Sequence, residues 1–151
     1  MDDSKPNSTP FDVVTMLYTG QSPANQHEVK EMKSKPNWQT VSSLMFAVSQ
    51  PDIMFAVSMV SRFVHNLDLD HWHAVIKIMK YVQGTRGLTI RYKADSTGQV
   101  AYSDTGYAGD CNSRQSTTGY MSFLADGPVT WCSHWQKCVS NSTMDAATKI
   151  V

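Results

Sequence analysis

The chain has 151 residues, with 13 Lys+Arg against 13 Asp+Glu, so no whole-molecule field draws it to nucleic acid or to an anionic membrane. Hydrophobic content of 41% with charged content of 17% belongs to a chain that collapses around a core, and it excludes disorder throughout. The longest apolar stretches, 43–49 and 53–60, are split by Gln50-Pro51-Asp52 and are too short to span a bilayer. Cys111, Cys132 and Cys138 are odd in number and far apart, which fits reduced thiols rather than a disulfide framework. The polar, acidic opening at 1–7 carries no basic n-region or apolar h-region, so the expected compartment is intracellular, cytoplasm or nucleus.

In chain order, residues 1–26 are rich in Pro, Ser, Asn and Asp and predict an extended arm. A short helix follows over Glu28 to Lys33, stopped by Pro36. Residues 38–49 carry Val41, Leu44, Met45 and Val48, one apolar stripe on a helix. Gln50-Pro51-Asp52 breaks it, and Pro51 is suited to begin the next helix. There Ile53, Ala56, Val57, Val60, Phe63 and Val64 recur at helical spacing, so one face is buried. A third helix, with Asp70 as its expected N-cap and Gly84 as its C-cap, sets Trp72, Val75, Ile76, Met79 and Val82 on one face.

After Gly84 the apolar period changes from helical to alternating. Leu88 to Tyr92 predicts a strand and Ser96-Thr97-Gly98 a turn, and strands follow at 100–104, 119–124 and 129–133. Asp126-Gly127 is the hairpin signal between the last two, and Ser142-Thr143 starts a helix. The expected class is α+β, in three stretches: 1–36 an extended arm and short helix, 37–85 a helical connection-like segment, and 86–151 an antiparallel meander with a helix start.

The run Tyr102-Ser103-Asp104-Thr105-Gly106-Tyr107-Ala108-Gly109-Asp110, followed by Ser113-Arg114-Gln115-Ser116-Thr117-Thr118-Gly119-Tyr120, resembles the opening of ribonuclease H domains in copia-type retroelements. Val129-Thr130-Trp131, Gln136-Lys137 and Ser142-Thr143 continue that pattern in the same order. Upstream, Ser8-Thr9-Pro10, Ser43-Leu44-Met45-Phe46, Pro51-Asp52-Ile53, Ser61-Arg62-Phe63, His71-Trp72 and Gly84-Thr85 resemble the polyprotein segment between polymerase and ribonuclease H. The likeness runs from about Ser8 to the end and implies the close of a reverse transcriptase joined to the N-terminal half of a truncated RNase H-like domain.

Ribonuclease H enzymes hold two divalent ions with a cluster of about four carboxylates, one ion activating water and the other stabilising the leaving oxygen. The resemblance implies that Asp104 matches the first metal-binding aspartate, on the central strand of the meander. The position of the catalytic glutamate falls on Ala147, which has no oxygen to offer. Asp145 lies two residues earlier, on another face of the helix. Gly106 and Tyr107 stand where the family carries its second acid and a tryptophan, and Thr148 stands where it carries a tyrosine. The third catalytic aspartate belongs to a strand past Val151. The expectation is a vestigial Asp104, an incomplete magnesium site, no bound cofactor and no catalysis.

His71 and His73 lie two apart on a helix and face different directions, and Cys132, His134 and Cys138 lack finger-like spacing, so neither group predicts a metal site. Lys77, Lys80, Arg86 and Arg91, with Arg62 nearby, form a locally basic run interleaved with Trp72 and Tyr81 that would reach phosphates only weakly. An incomplete sheet leaves an open edge for self-association or for a protein partner. The leading functional reading is a retroelement-derived, catalytically inactive fragment. The first alternative is a recruited protein-interaction module, such as a secreted RxLR-type effector suppressing defence inside a host cell, although Arg86-Gly87-Leu88-Thr89 lacks the final arginine of that motif. The second is a metal-dependent nuclease of RNA/DNA hybrids completed by a partner chain.

Overall fold

A computed structural model describes residues 4–12, 15–21, 23 and 25–148, apart from the side chains of Asn37 and Val48. The chain divides into two compact units, Met1–Gly87 and Leu88–Val151. It is α+β, with helices in the first unit and a three-stranded antiparallel sheet in the second.

In the first unit α1 (Gln26–Lys33) starts at Asn25, whose side-chain oxygen accepts the Glu28 N–H while its amide donates back to the Glu28 carboxylate. This reciprocal pair satisfies a backbone donor that a helix end leaves open. α2 (Asn37–Phe46) runs into short 3-10 turns at Ala47–Ser49 and Pro51–Ile53, and α3 (Met54–Ser61) follows directly. α4 spans Leu69–Gly84. The spacing of the apolar residues is realised as a core of Val41, Leu44, Ile53, Ala56, Val57, Val60, Phe63 and Val75, joined by Leu17 and Met32. On α4 Ile78 is fully buried, while Ile76, expected on that face, is only half-buried, because the buried stripe runs through His71, Ala74, Val75 and Ile78. Trp72, Met79 and Val82 pack against the core only partly buried. Met45 departs from its expected place, at 56% exposure beside Phe46 at 89%. Val48 lies outside the described side chains.

The N-cap of α4 is Asp68, not Asp70. Asp68 accepts from the backbone at His71, while the Asp68 N–H donates to His71 Nδ1 at 3.2 Å. A histidine one residue after an N-cap at Asp70 could not close this box, whereas His71 sits three residues after Asp68, the spacing that reciprocal capping requires. His71 is buried, and its ring lies 4.4 Å from that of Phe63. Burial pushes its pKa below the usual histidine value, against the opposing pull of Asp68 and Asp70. A base whose folded pKa is lowered stabilises the fold fully above its unfolded pKa of about 6.5, and that stability is lost as pH falls through the lower folded value. The urea midpoint of the helical signal is therefore expected to fall as the pH is lowered below about 6.5. His71→Gln should flatten that dependence, and an equally steep fall in the variant would assign it to other groups.

The second unit does not form the strand expected at Leu88 to Tyr92. Leu88, Ile90 and Tyr92 are exposed, and the stretch joins no ladder among the described residues. It is tied instead to the hairpin by single bonds: the Lys93 N–H to the Ala125 carbonyl, and the Tyr92 hydroxyl to the Pro128 carbonyl, each at 2.8 Å. Lys93 also pairs with Asp126 at 2.7 Å. Alternation supplies two faces but no partner edge, so it does not by itself make a strand.

β1 (Gln99–Gly106), β2 (Thr117–Leu124) and β3 (Gly127–Trp135) pair in the order β1-β2-β3. Tyr102 lies opposite Met121 and Asp104 opposite Gly119, while Thr118 faces His134 and Met121 faces Trp131. The two-residue loop is Ala125-Asp126, with φ of 53° and 61°, one residue earlier than the Asp126-Gly127 signal suggests. Both central residues take the left-handed conformation that matches a tight turn to strand twist. Gly127 opens β3, and a Cβ there would stand 2.5 Å from the Tyr92 ring and 2.9 Å from the Arg91 carbonyl. Gly127→Ala is expected to cost about 1–3 kcal/mol by overpacking, read as a lower urea midpoint of tryptophan fluorescence. An unchanged midpoint would mean that this segment can move aside freely. α5 (Thr143–Thr148) closes the described chain.

Candidate functional site

Asp104 lies near the end of β1, and among the described residues β1 has one ladder neighbour, so it is an edge strand of this sheet and β2 is the central one. This corrects the central placement expected for Asp104. The residue is exposed, with Gly119 opposite it leaving no side chain over the carboxylate. Its Oδ1 accepts the Thr105 N–H at 2.8 Å. Asp145 serves α5 as a cap: its N–H donates to Ser142 Oγ at 3.1 Å and its Oδ2 accepts the Asn141 N–H at 3.0 Å. Ala147 is exposed on the same helix. The carboxylates of Asp104 and Asp145 are each engaged by a backbone N–H, and among the described residues no group of three or more His, Cys, Asp and Glu is placed to hold a metal ion. These residues do not fit a magnesium pair, which needs several convergent oxygen ligands.

Two buried polar residues, quoted above only as parts of motifs, organise this region. Asp110 Oδ2 accepts from the N–H groups of Asn112 and Ser113 and from Ser113 Oγ, shaping a loop in which Ala108 and Arg114 have positive φ. Gln136 is 4% exposed; its Nε2 donates to Thr118 Oγ1 at 2.9 Å and to the Ala146 carbonyl at 2.7 Å, and its Oε1 accepts from Ser140 Oγ at 2.9 Å. One side chain thus fastens α5 to the sheet. The Asp-x-x-Ser spacing at 110–113 was the available signal for the first, because Asx turns use it. A lone glutamine carries no comparable mark.

The basic residues have different surroundings. Lys77 is ion-paired with Asp12 in the first unit. Lys80 is half-buried on α4. Arg86 lines an apolar groove of about 490 Å³ with Leu44, Ala47, Met79 and Val82. Arg91 is exposed in the second unit. Of the aromatic residues among them, Trp72 and Tyr81 pack against the core. The Tyr81 hydroxyl donates to Asp52 at 2.6 Å, and that bond, with burial, pushes the phenol up to about 12. His71 is buried and His73 exposed, so they form no pair.

The chain is 37% identical, over 97% of its length, to the retrovirus-related Pol polyprotein from transposon TNT 1-94 of Nicotiana tabacum. It is 36% identical, over 74% of its length, to the Pol polyprotein from transposon RE2 of Arabidopsis thaliana. It spans 11% of the first polyprotein and 8% of the second. Secreted RxLR effector protein 161 of Plasmopara viticola is 34% identical over 76% of the chain and 82% of that protein. No family model and no solved structure matches. The chain belongs to the family of copia-type retroelement Pol polyproteins. Among the described residues no helix is long and apolar enough to cross a membrane.

Proposed function

We propose that this chain is a retroelement-derived, RNase H-like segment that does not cleave RNA/DNA hybrids and acts, if at all, as a protein-binding body inside cells. The observation that carries this reading is Ala147, exposed on α5 at the position that the resemblance assigns to the catalytic glutamate. Without that carboxylate, Asp104 is a single anchor, and a single anchor does not set the spacing of two ions. Purified chain with magnesium or manganese is expected to leave a labelled hybrid intact. Cleavage that Asp104→Asn abolishes would overturn the proposal and favour a nuclease whose remaining ligands come from a partner chain.

A second reading, a recruited effector-like module, is supported by the likeness to secreted RxLR effector protein 161, because the chain spans 82% of that protein. Loss of catalytic acids is no handicap to a protein that works by binding. The open edge of β1 offers a row of backbone donors and acceptors for a partner or a second copy. Under this reading, the chain expressed in plant cells lowers an elicitor-triggered oxidative burst, whereas Val60→Asp, which disrupts the helical unit, does not. Equal bursts with the chain and with an empty vector would discard it.

A further inference from the structure

Strand alternation turns Cys132 and His134 to the same face of β3, and the Cys132 Sγ stands 3.1 Å from His134 Nδ1. Their partners across the ladder are Tyr120 and Thr118. β3 is the other edge of the three-stranded order, and His134 is exposed. Cys132 is half-buried, while Cys111 and Cys138 are both exposed. Access alone would therefore make Cys132 the slowest of the three thiols.

We propose that Cys132 and His134 form a nucleophilic thiol site that exchanges with low-molecular-weight disulfides of the glutathione class, making Cys132 the chain's preferred position of S-thiolation. The reactive species in such exchange is the thiolate, and a base within hydrogen-bond reach of the thiol supplies it at the moment of attack. With Nδ1 unprotonated, the imidazole takes the Sγ proton as the sulfur attacks one sulfur of the small disulfide. The new Sγ–S bond forms as the old S–S bond breaks, and its electron pair leaves on the second sulfur. That sulfur collects the proton from His134 and departs as a thiol. The small disulfide is the oxidant, Cys132 is oxidised to a mixed disulfide, and no other co-reactant is needed.

The sequence allows a direct reading, because Arg114 separates Cys111 from Cys132, and Lys137 separates Cys132 from Cys138, so trypsin places each cysteine on its own peptide. Full-length chain is incubated with oxidised glutathione at neutral pH, quenched with acid at intervals, digested and quantified by mass spectrometry. Cys132 is expected to gain glutathione about tenfold faster than either other cysteine, because its lower access offsets part of the roughly 10²-fold or more that a positioned base contributes. His134→Gln should erase that lead while far-UV circular dichroism stays unchanged, and in urea the three wild-type thiols should react alike. Reaction of Cys111 or Cys138 ahead of Cys132 in the folded chain would overturn the proposal. So would an undiminished lead in His134→Gln, or a lead that survives in urea, since the pair would then owe nothing to the fold.

Discussion

Val60→Asp is expected to abolish cooperative unfolding of the helical unit. Val60 is 0% exposed on α3, in one core with Ile53, Val57, Val75 and Ile78. A carboxylate placed there finds apolar neighbours, and it must either stay charged in a medium that solvates it poorly or take up a proton. Either course costs several kcal/mol, by order of magnitude, on top of the lost packing. Domain stabilities are only about 5–15 kcal/mol, so a loss of that size removes most of the margin. The measurement is a thermal melt followed by far-UV circular dichroism, with Phe46→Asp as the comparison. Phe46 is 89% exposed at the end of α2, and its replacement should leave the melt within the small range of ordinary surface changes. A Val60→Asp melt that overlays the parent would show that this helix face is not a core.

The largest effect in the second unit is expected from Gln136→Leu. The replacement keeps the approximate bulk but removes both polar ends of the side chain. Thr118 Oγ1, Ser140 Oγ and the Ala146 carbonyl then lose the partners that Gln136 gives them in a buried setting. Each buried polar group left without its bond costs about 1–3 kcal/mol, so the combined loss is about 3 kcal/mol or more. The first consequence is local: the six described residues of α5 are too few to persist by propensity once the tether is gone. Hydrogen exchange should show the amides of α5 losing protection ahead of those in β2, together with a lower urea midpoint of tryptophan fluorescence. Retained protection in α5 would mean that the burial of Ala146, and not the glutamine, holds the helix.

The helical half was legible in the sequence because helix packing leaves a one-dimensional trace. Val41, Leu44, Ala56, Val57, Val60 and Val75 recur at helical spacing, and all are core residues, whereas on α4 the core takes Ile78 in place of the expected Ile76. The meander was legible for the same reason at period two, and its hairpin was placed to within one residue because tight turns draw on few residue types. Family motifs in a fixed order carried the relationship to copia-type polyproteins, and identity of 37% over nearly the whole chain agrees with them. The proposal that Ala147 stands in place of a catalytic carboxylate rests on those motifs alone, since it is a matter of which atoms a residue carries.

Only the tertiary structure decided matters that depend on partners distant in the chain. Two acidic residues, Asp68 and Asp70, stand at the start of α4, and the reach of His71 back to Asp68 chooses between them as the cap. Leu88 to Tyr92 alternates as a strand does, yet a ladder needs a neighbouring edge, which a local pattern cannot specify. Asp104 sits on an edge strand because strand order is set by pairing over long separations. Asp145 is a cap and Gln136 a tether for the same reason: hydrogen bonds depend on three-dimensional direction, and a linear chain shows only which donors and acceptors exist. Residue types and their periods therefore determined which surfaces must be buried and which chemistry was available, while the fold determined which polar groups meet.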